Sequence, residues 1–410
     1  MPRIEGCICW WGTVALVMSL APVARSQEEP WPLHVIDDTS FGADGVKLGD
    51  FNRDGLPDVV TGWEEGGRTR LYLHPGFARV RKPWPKVNIG WTPAVEDAVP
   101  ADLDGDGALD VVTCCEGRFR TMFVHWAPKA PGKLLDPRAW QQALLPASRK
   151  PAQQWMFAWP IQLDGRHGVD LVAGSKNAGA QIGWYQAPAH PRDLTAWRWH
   201  PISPAGWIMS IWFQDMDGDG DPDVVISDRY GSLRGCRWLE NPGPGPRQTQ
   251  PWKNHFLGAR DKEVLSMALA DLDRDGLQDA LVAVKDMKIL FLRRLDRSGR
   301  RWQTHVISAD FAAGNTRAVA VADVNRDGQP DLVFTTWNAR NRHGVMWLEY
   351  KKSPLERHWQ AHPISGTRRG IKYDRIEMID LDGDGDLDLL TCEEREGGRG
   401  LGVIWYENPH

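Results

Sequence analysis

One pattern constrains this chain more than any other: D-x-[DN]-x-D-G-x-x-D followed by an apolar pair, returning at nearly constant intervals. Its copies are Asp50-Asn52-Asp54-Gly55-Asp58, Asp102-Asp104-Asp106-Gly107-Asp110, Asp215-Asp217-Asp219-Gly220-Asp223, Asp271-Asp273-Asp275-Gly276-Asp279, Asp323-Asn325-Asp327-Gly328-Asp331 and Asp380-Asp382-Asp384-Gly385-Asp388. A worn copy, Gln162, Asp164, Arg166, His167, Gly168 and Asp170, sits between the second and third. Counting it, the copies start 52, 60, 53, 56, 52 and 57 residues apart. That period is the length of one propeller blade, and a tandem array overrides the division into two or three domains that 410 residues would otherwise suggest.

A second pattern, W-x-x-[H or apolar]-x-[IL], runs in phase with the first and starts at Trp31, Trp84, Trp140, Trp197, Trp252, Trp302 and Trp359. Five copies carry His at the fourth position: His34, His200, His255, His305 and His362. A third run lies between them, as in Ile182-Gly183-Trp184-Tyr185 and Ile404-Trp405-Tyr406. Each unit therefore holds four short strand candidates, punctuated by Gly, Pro and Asn, and no stretch keeps a helical period. The expected fold is all-β, a seven-bladed β-propeller of four-stranded blades over residues 27–410. The chain opens with a fourth-strand run and finishes with a third-strand run. Residues 31–37 are thus expected to pair with residues 402–407 as the outer strand of the last blade, which removes an open edge.

Residues 1–26 read as a signal peptide: Arg3, a short apolar run from Ile8 to Leu20, then Ala24-Arg25-Ser26. Cleavage near Ser26 would release a secreted, periplasmic or cell-surface protein. The run is too short and too poorly flanked to span a membrane, and no later segment could. Cys7 and Cys9 would leave with the signal. Of the remaining cysteines, Cys114 and Cys392 occupy one repeat position in units that are not neighbours, and adjacent Cys114 and Cys115 point to opposite faces of a strand. Together with Cys236 they read as buried free thiols. A net charge of -5 with no basic stripe argues against nucleic acid, and a monomer is expected.

In the acidic loops, carboxylates or amides at positions 1, 3, 5 and 9 with Gly at 6 suit a hard cation with oxygen ligands, and calcium tolerates such a flexible cage better than magnesium. Zinc would want His or Cys, which these loops lack. An EF-hand needs Glu at position 12 and flanking helices; Thr61, Thr113, Ile226, Val282, Phe334 and Thr391 stand there instead, in strand-like runs. Up to six structural calcium ions are expected.

These loops resemble those of the FG-GAP/VCBS repeat family, over essentially the whole of residues 27–410. The Gly-Ala-Pro word of the integrin type is missing and Phe-Gly stands only at Phe41-Gly42, so the chain looks closer to the bacterial VCBS-like branch. The resemblance implies a propeller whose loops bind calcium. Members of that family include adhesins, carbohydrate-binding proteins and a few sugar lyases or dehydratases, so it leaves function open.

A binding site is expected on the face opposite the Asp loops, where residues break the repeat. Glu64, Glu96, Asp97, Glu116, Trp155, Lys176, Trp207, Arg229, Glu263, Lys285, Arg317, Trp337, Asp374, Arg375 and Glu394 are the candidate ligand-binding residues. Of the 22 tryptophans, Trp63, Trp91, Trp155, Trp207 and Trp337 lie outside the repeat, on or next to this rim. Aromatic faces beside carboxylates and bases suit stacking on sugar rings. The first reading is therefore a carbohydrate-binding propeller. A sugar lyase or dehydratase on the same scaffold is the second, with His343 or Tyr373 as base and Arg375 against a substrate carboxylate. A protein-interaction or adhesion platform is the third. No phosphate loop, nucleophile elbow or zinc motif is present.

Overall fold

The computed structural model describes residues 29–150, 152–308, 312–395 and 398–410. The proposed signal at 1–26 lies outside the described residues. Among the described residues, no helix is long and apolar enough to cross a membrane.

The described elements are strands and short 3-10 turns, and the strands fall into sets of four. One set is Ala43–Gly49, Asp58–Trp63, Arg68–Tyr72 and Lys86–Trp91, antiparallel and in chain order from the inner edge outward. Five such sheets are separate. The remaining eight strands form two groups of four joined by a single pairing of Trp337 with Lys372. The inner strand of each set lies against that of the next: Ala43–Gly49 on Val95–Ala101, that on Gln154–Ile161, and so on to Lys372–Ile379, which returns to Ala43–Gly49. This radial stacking of four-stranded sheets is a β-propeller.

The strands are buried on both faces, so they read as apolar runs rather than strict alternations. Asp58–Trp63, Asp223–Asp228 and Asp279–Val284 have no exposed residue. The core lies between sheets. One cluster joins Val99, Val112 and Val124 of one sheet to Trp155, Ala173 and Tyr185 of the next. Leu33–Asp37 pairs antiparallel with Gly398–Tyr406, setting Leu33 opposite Tyr406 and Val35 opposite Ile404. Ile36 is fully buried beside Trp84 and Trp405.

The repeated histidines have a packing role. His255 stacks on Trp238 at 4.2 Å and bonds Glu240 at 2.6 Å; His362 stacks on Trp347 at 4.1 Å and bonds Glu349 at 3.0 Å. The fourth strand is thus clipped to the third by a ring face and a polar tip. Cys114, Cys115, Cys236 and Cys392 are buried free thiols, as expected.

The N-terminal strand should contribute to stability out of proportion to its length. Ile36→Ala is expected to cost about 3 kcal/mol by leaving a cavity between sheets, read as a lower urea midpoint at unchanged slope. A change under about 0.5 kcal/mol, the size usual for a surface site, would contradict the packing described.

Candidate functional site

The Asp loops stand where the first strand of each set turns into the second. In all six full copies the first carboxylate accepts the N–H of the sixth-position glycine, at 2.9–3.0 Å. The fifth carboxylate accepts the N–H of the seventh residue, at 2.7–3.0 Å. The fourth position has a left-handed backbone throughout. Gly105, Gly165, Gly218 and Gly383 adopt it freely, whereas Arg53, Arg274 and Arg326 adopt it against a steric penalty. Arg53 donates to the carbonyl of Gly107 in the following loop, and Arg274 does the same to Gly328. Neighbouring loops are laced together at those joints.

The ninth aspartate has a separate job. One oxygen of Asp110 accepts the N–H of Leu103 inside the loop, and the other accepts Ala127 N–H at the exit of the third strand, at 2.8 Å. Asp58, Asp170, Asp223, Asp279 and Asp388 repeat this bridge, and Asp331 makes its loop half with Val324. Burial pushes the carboxyls of Asp110, Asp223, Asp279, Asp331 and Asp388 up to about 7, against the pull of those N–H groups.

The loops fit a cation. Carboxylate oxygens of Asp102, Asp104 and Asp110 lie within 4.8 Å of one another, as do those of Asp215, Asp217, Asp223 and of Asp271, Asp273, Asp279. Ligands 2.3–2.6 Å from one calcium ion would lie about that close. One oxygen each of Asp102, Asp217, Asp273 and Asp323 is buried without a hydrogen-bond partner, an arrangement that costs stability unless something positive faces it. In the worn loop Gln162 replaces the first aspartate. Its Nε2 donates to the carbonyl of Arg166 at 2.8 Å and also to that of Gly168. An amide N–H₂ thus gathers the backbone oxygens of positions 5 and 7 from within the chain.

At the opposite end, many of the non-repeating charges converge, and most are already paired. Lys176 Nζ lies 3.0 Å from Glu96 and also contacts Glu116. Arg317 grips Asp374 through two bonds, of 2.8 and 3.2 Å. Burial alone would raise the Asp374 carboxyl, but the Arg317 guanidinium holds it well below the usual range. Lys372 pairs with Glu394. Glu263 receives Arg229, Lys285 at 3.0 Å and the Tyr230 hydroxyl at 2.8 Å. Asp97 is buried with Lys47 and Arg375 as its nearest positive charges.

Several expected rim residues are placed otherwise. Trp155 is fully buried, its indole N–H bonded to the Ser148 carbonyl at 2.8 Å and its ring packed on Tyr185 and Trp199. Trp63 is buried as well, with its N–H on Tyr72. Alternating strand faces turn both into the core. Trp207 lies between Lys176 and Arg229, at 4.5 and 4.8 Å from its ring centroid, and Trp337 ends a strand half-buried. The catalytic candidates do not assemble into a base. Tyr373 is buried, with its hydroxyl donating to Arg369 O at 2.9 Å and burial pushing its pKa far up. His343 is half-buried, and burial lowers its pKa. Arg375 lies over Phe157 at 4.1 Å.

Lys47, Lys372 and Glu377 belong to this charged set and were not among the expected residues. Lys47 stands between Val46 and Leu48, a charge in an apolar run, and faces Trp159 at 3.9 Å; Glu377, between Ile376 and Met378, is half-buried with Lys47 and Arg375 as its cations.

Residues 33–113 and 271–334 match the FG-GAP-like repeat family. In fold the chain is similar to YCF48 from Cyanidioschyzon merolae, at 10% identity over 92% of this chain and 98% of that one, with a TM-score of 0.53. It is also similar to BBS1N in complex with ARL6DN. In the mercury-soaked crystal identity is 10%, coverage 93% and 97%, and TM-score 0.53; in the lead-soaked one they are 11%, 91% and 95%, and 0.50. No curated protein sequence matches the chain.

Two outcomes check this geometry. Asp170→Ala, in the worn loop, should cost about 2 kcal/mol by stranding two buried N–H groups, equally with calcium and with chelator; a calcium-dependent loss would mean that the worn loop holds an ion after all. Arg317→Ala should cost about 3 kcal/mol because it leaves Asp374 unpaired, whereas Lys253→Ala, whose exposed ammonium pairs with Glu240, should stay within about 1 kcal/mol. Thermal melts of the two variants side by side decide it.

Proposed function

We propose that this chain, a β-propeller built on FG-GAP-like repeats, is a calcium-braced protein-interaction platform that docks its partner on the face opposite the Asp loops. The observation that carries this reading is a set of exposed apolar side chains on that face, each beside an arginine. Trp91 is 59% exposed and meets Phe119 edge-on at 5.3 Å, with Arg118 over Phe119 at 4.9 Å. Phe41 is 43% exposed under Arg399, and Tyr230 is 38% exposed under Arg229 at 5.0 Å. Met287, also exposed, lies 3.9 Å from Arg342. Aromatic residues, Met and Arg are the types enriched where proteins bind one another. The similar propeller BBS1N is itself seen in complex with a protein.

Sugar stacking on the rim has less support, because Trp155 and Trp63 are buried and Trp207 is covered by two cations. Lyase chemistry has less still, since Tyr373 and Arg375 are both committed to internal contacts.

The platform is proposed to be seven-bladed and closed. The seven groups of four strands, the return of Lys372–Ile379 onto Ala43–Gly49 and the pairing of Leu33–Asp37 with the last strand support this. Export through residues 1–26 would place it where millimolar calcium is available. Six loops would then bind calcium through positions 1, 3, 5 and 9, with the ion supplying charge neutralisation and no chemistry.

Chelation is the direct test of the brace. A site of ~0.1 mM affinity at ~1 mM calcium adds about 1.4 kcal/mol, and six add about 8 kcal/mol. Excess EGTA should therefore lower the melting temperature by more than about 10 °C, and an unchanged melt would refute calcium binding. For the platform, the double variant Trp91→Ala, Tyr230→Ala should keep the wild-type melt yet lose the proteins that cross-link to the wild type in a native extract. A glycan array with strong, Trp91-dependent binding would overturn the protein reading in favour of carbohydrate.

A further inference from the structure

We infer that the partner of this platform presents an acidic segment, seated on Arg68, Trp91, Arg118 and Phe119 at the mouth-side ends of two neighbouring sheets. The inference rests on the protein-docking reading and adds the chemistry of the partner. Among the described residues, the turns between second and third strands carry six exposed arginines: Arg68, Arg118, Arg234, Arg340, Arg342 and Arg399. They carry two exposed acids, Glu65 and Asp286, in a chain whose net charge is -5. None of the six arginines makes an ion pair among the described residues, whereas Arg81, Arg192 and Arg293 at the other end each take a carboxylate of an Asp loop.

Neutral partners hold these guanidinium groups in place. Arg68 Nε donates to the Gly66 carbonyl at 3.0 Å, Arg234 Nε to the Arg260 carbonyl at 2.9 Å, and Arg342 to the Ala313 carbonyl at 3.3 Å. Arg118 lies over Phe119 at 4.9 Å and Arg399 over Phe41 at 5.7 Å. One bond to a turn carbonyl fixes a guanidinium and leaves most of its fork of donors for a carboxylate, which it grips in bidentate fashion. Less side-chain freedom is then lost on docking. At the seat, Arg68 stands opposite Trp91 across the pair of strands Arg68–Tyr72 and Lys86–Trp91, and Trp91 meets Phe119 edge-on at 5.3 Å. Two cations thus flank one aromatic pair. A groove of about 410 Å³, lined by Arg68, Asn88, Trp91, Trp140 and Gln142 among others, opens beside it. The Gln142 side chain already takes the Trp91 N–H and carbonyl, at 3.0 and 2.6 Å, so recognition there falls to charge and ring rather than to an added strand. A segment that mixes carboxylates with apolar groups matches this lining. A uniform polyanion matches it less well, because the half-buried Glu64 and Glu116 lie in the same turns and like charges brought together oppose docking.

A fluorescein-labelled peptide of alternating Glu and Phe, titrated with the full chain and read by anisotropy, should bind, and its Gln-for-Glu counterpart should bind at least about ten-fold more weakly. The double variant Arg68→Glu, Arg118→Glu should weaken the Glu peptide by at least about ten-fold at an unchanged melting temperature, and Arg68→Ala, Arg118→Ala should weaken it in the same direction by less. Arg297→Glu with Lys351→Glu makes the same change of charge at exposed positions of the Asp-loop end and should alter binding by less than about two-fold, because salt screens charges that far apart. Equal losses in the two charge-reversed chains, equal binding of the two peptides, or tighter binding of a heparin oligosaccharide through the same arginines would overturn the acidic partner. Cross-linking in a native extract separates this inference from the reading beneath it. If Arg68→Glu, Arg118→Glu keeps every protein that Trp91→Ala, Tyr230→Ala loses, the acidic partner falls and the platform stands; if Trp91→Ala, Tyr230→Ala loses none, the platform itself falls.

Discussion

A buried carboxylate that bridges two turns holds each sheet to its own loop. The ninth aspartate takes one N–H from the second residue of the loop and another from the exit of the third strand. The second residue is apolar in every copy: Phe51, Leu103, Leu163, Met216, Leu272, Val324 and Leu381, all buried. A plug in the core and a carboxylate behind it therefore fix the path of the first turn before any ion is considered. Leaving such N–H groups unsatisfied costs about 1–3 kcal/mol each, so the position resists change even where the rest of the loop has decayed. Asp170 is the case in point, since it is kept while Asp at positions 1 and 5 has been lost.

The repeat explains what could be read in advance and what could not. Positions that recur in phase do the same thing in each sheet, so strands, loops and the terminal pairing were all legible from spacing. The mouth has no such phase. Whether Trp155 faces a ligand or the core depends on which side of one strand it occupies, and a bulge between Trp155 and Phe157 shifts that register. Tyr373 is turned inward in the same way beside a bulge before Ile376. Charges on inner strands such as Lys47 and Glu377 were visible as interruptions of apolar runs, but their partners come from other sheets and have no sequence spacing to betray them.

The two ends of the sheets solve one electrostatic problem differently. At the mouth, carboxylates are matched by lysine and arginine side chains reaching across from neighbouring sheets, a solution that needs long side chains in fixed places and so differs from sheet to sheet. At the Asp loops three oxygens from positions 1, 3 and 9 converge in the loops that start at Asp102, Asp215 and Asp271, and an arginine reaches only some loops: Arg192 on Asp104, Arg293 on Asp273, Arg81 on Asp382. At Asp273 the arginine takes one oxygen and the other is unpartnered, whereas the second oxygens of Asp104 and Asp382 accept the N–H groups of Asp106 and Asp384.

The worn loop closes the same turn without the full set of acids. Once Gln162 stands in place of an aspartate, its amide N–H₂ binds the carbonyls of Arg166 and Gly168, and its own carbonyl accepts the N–H groups of Asp164 and Gly165 at 3.1 and 2.9 Å. The chain has supplied a neutral donor at the centre of the loop and no longer needs the carboxylates at positions 1 and 5. The other six loops keep the aspartate at position 1, and in the first of them the Asn52 amide donates to Asp54 at 2.9 Å. If a positive charge occupies the centre of those six, losing the acid and gaining an amide donor at one locus belong together. A loop shaped only by backbone turns would have no reason to exchange one for the other.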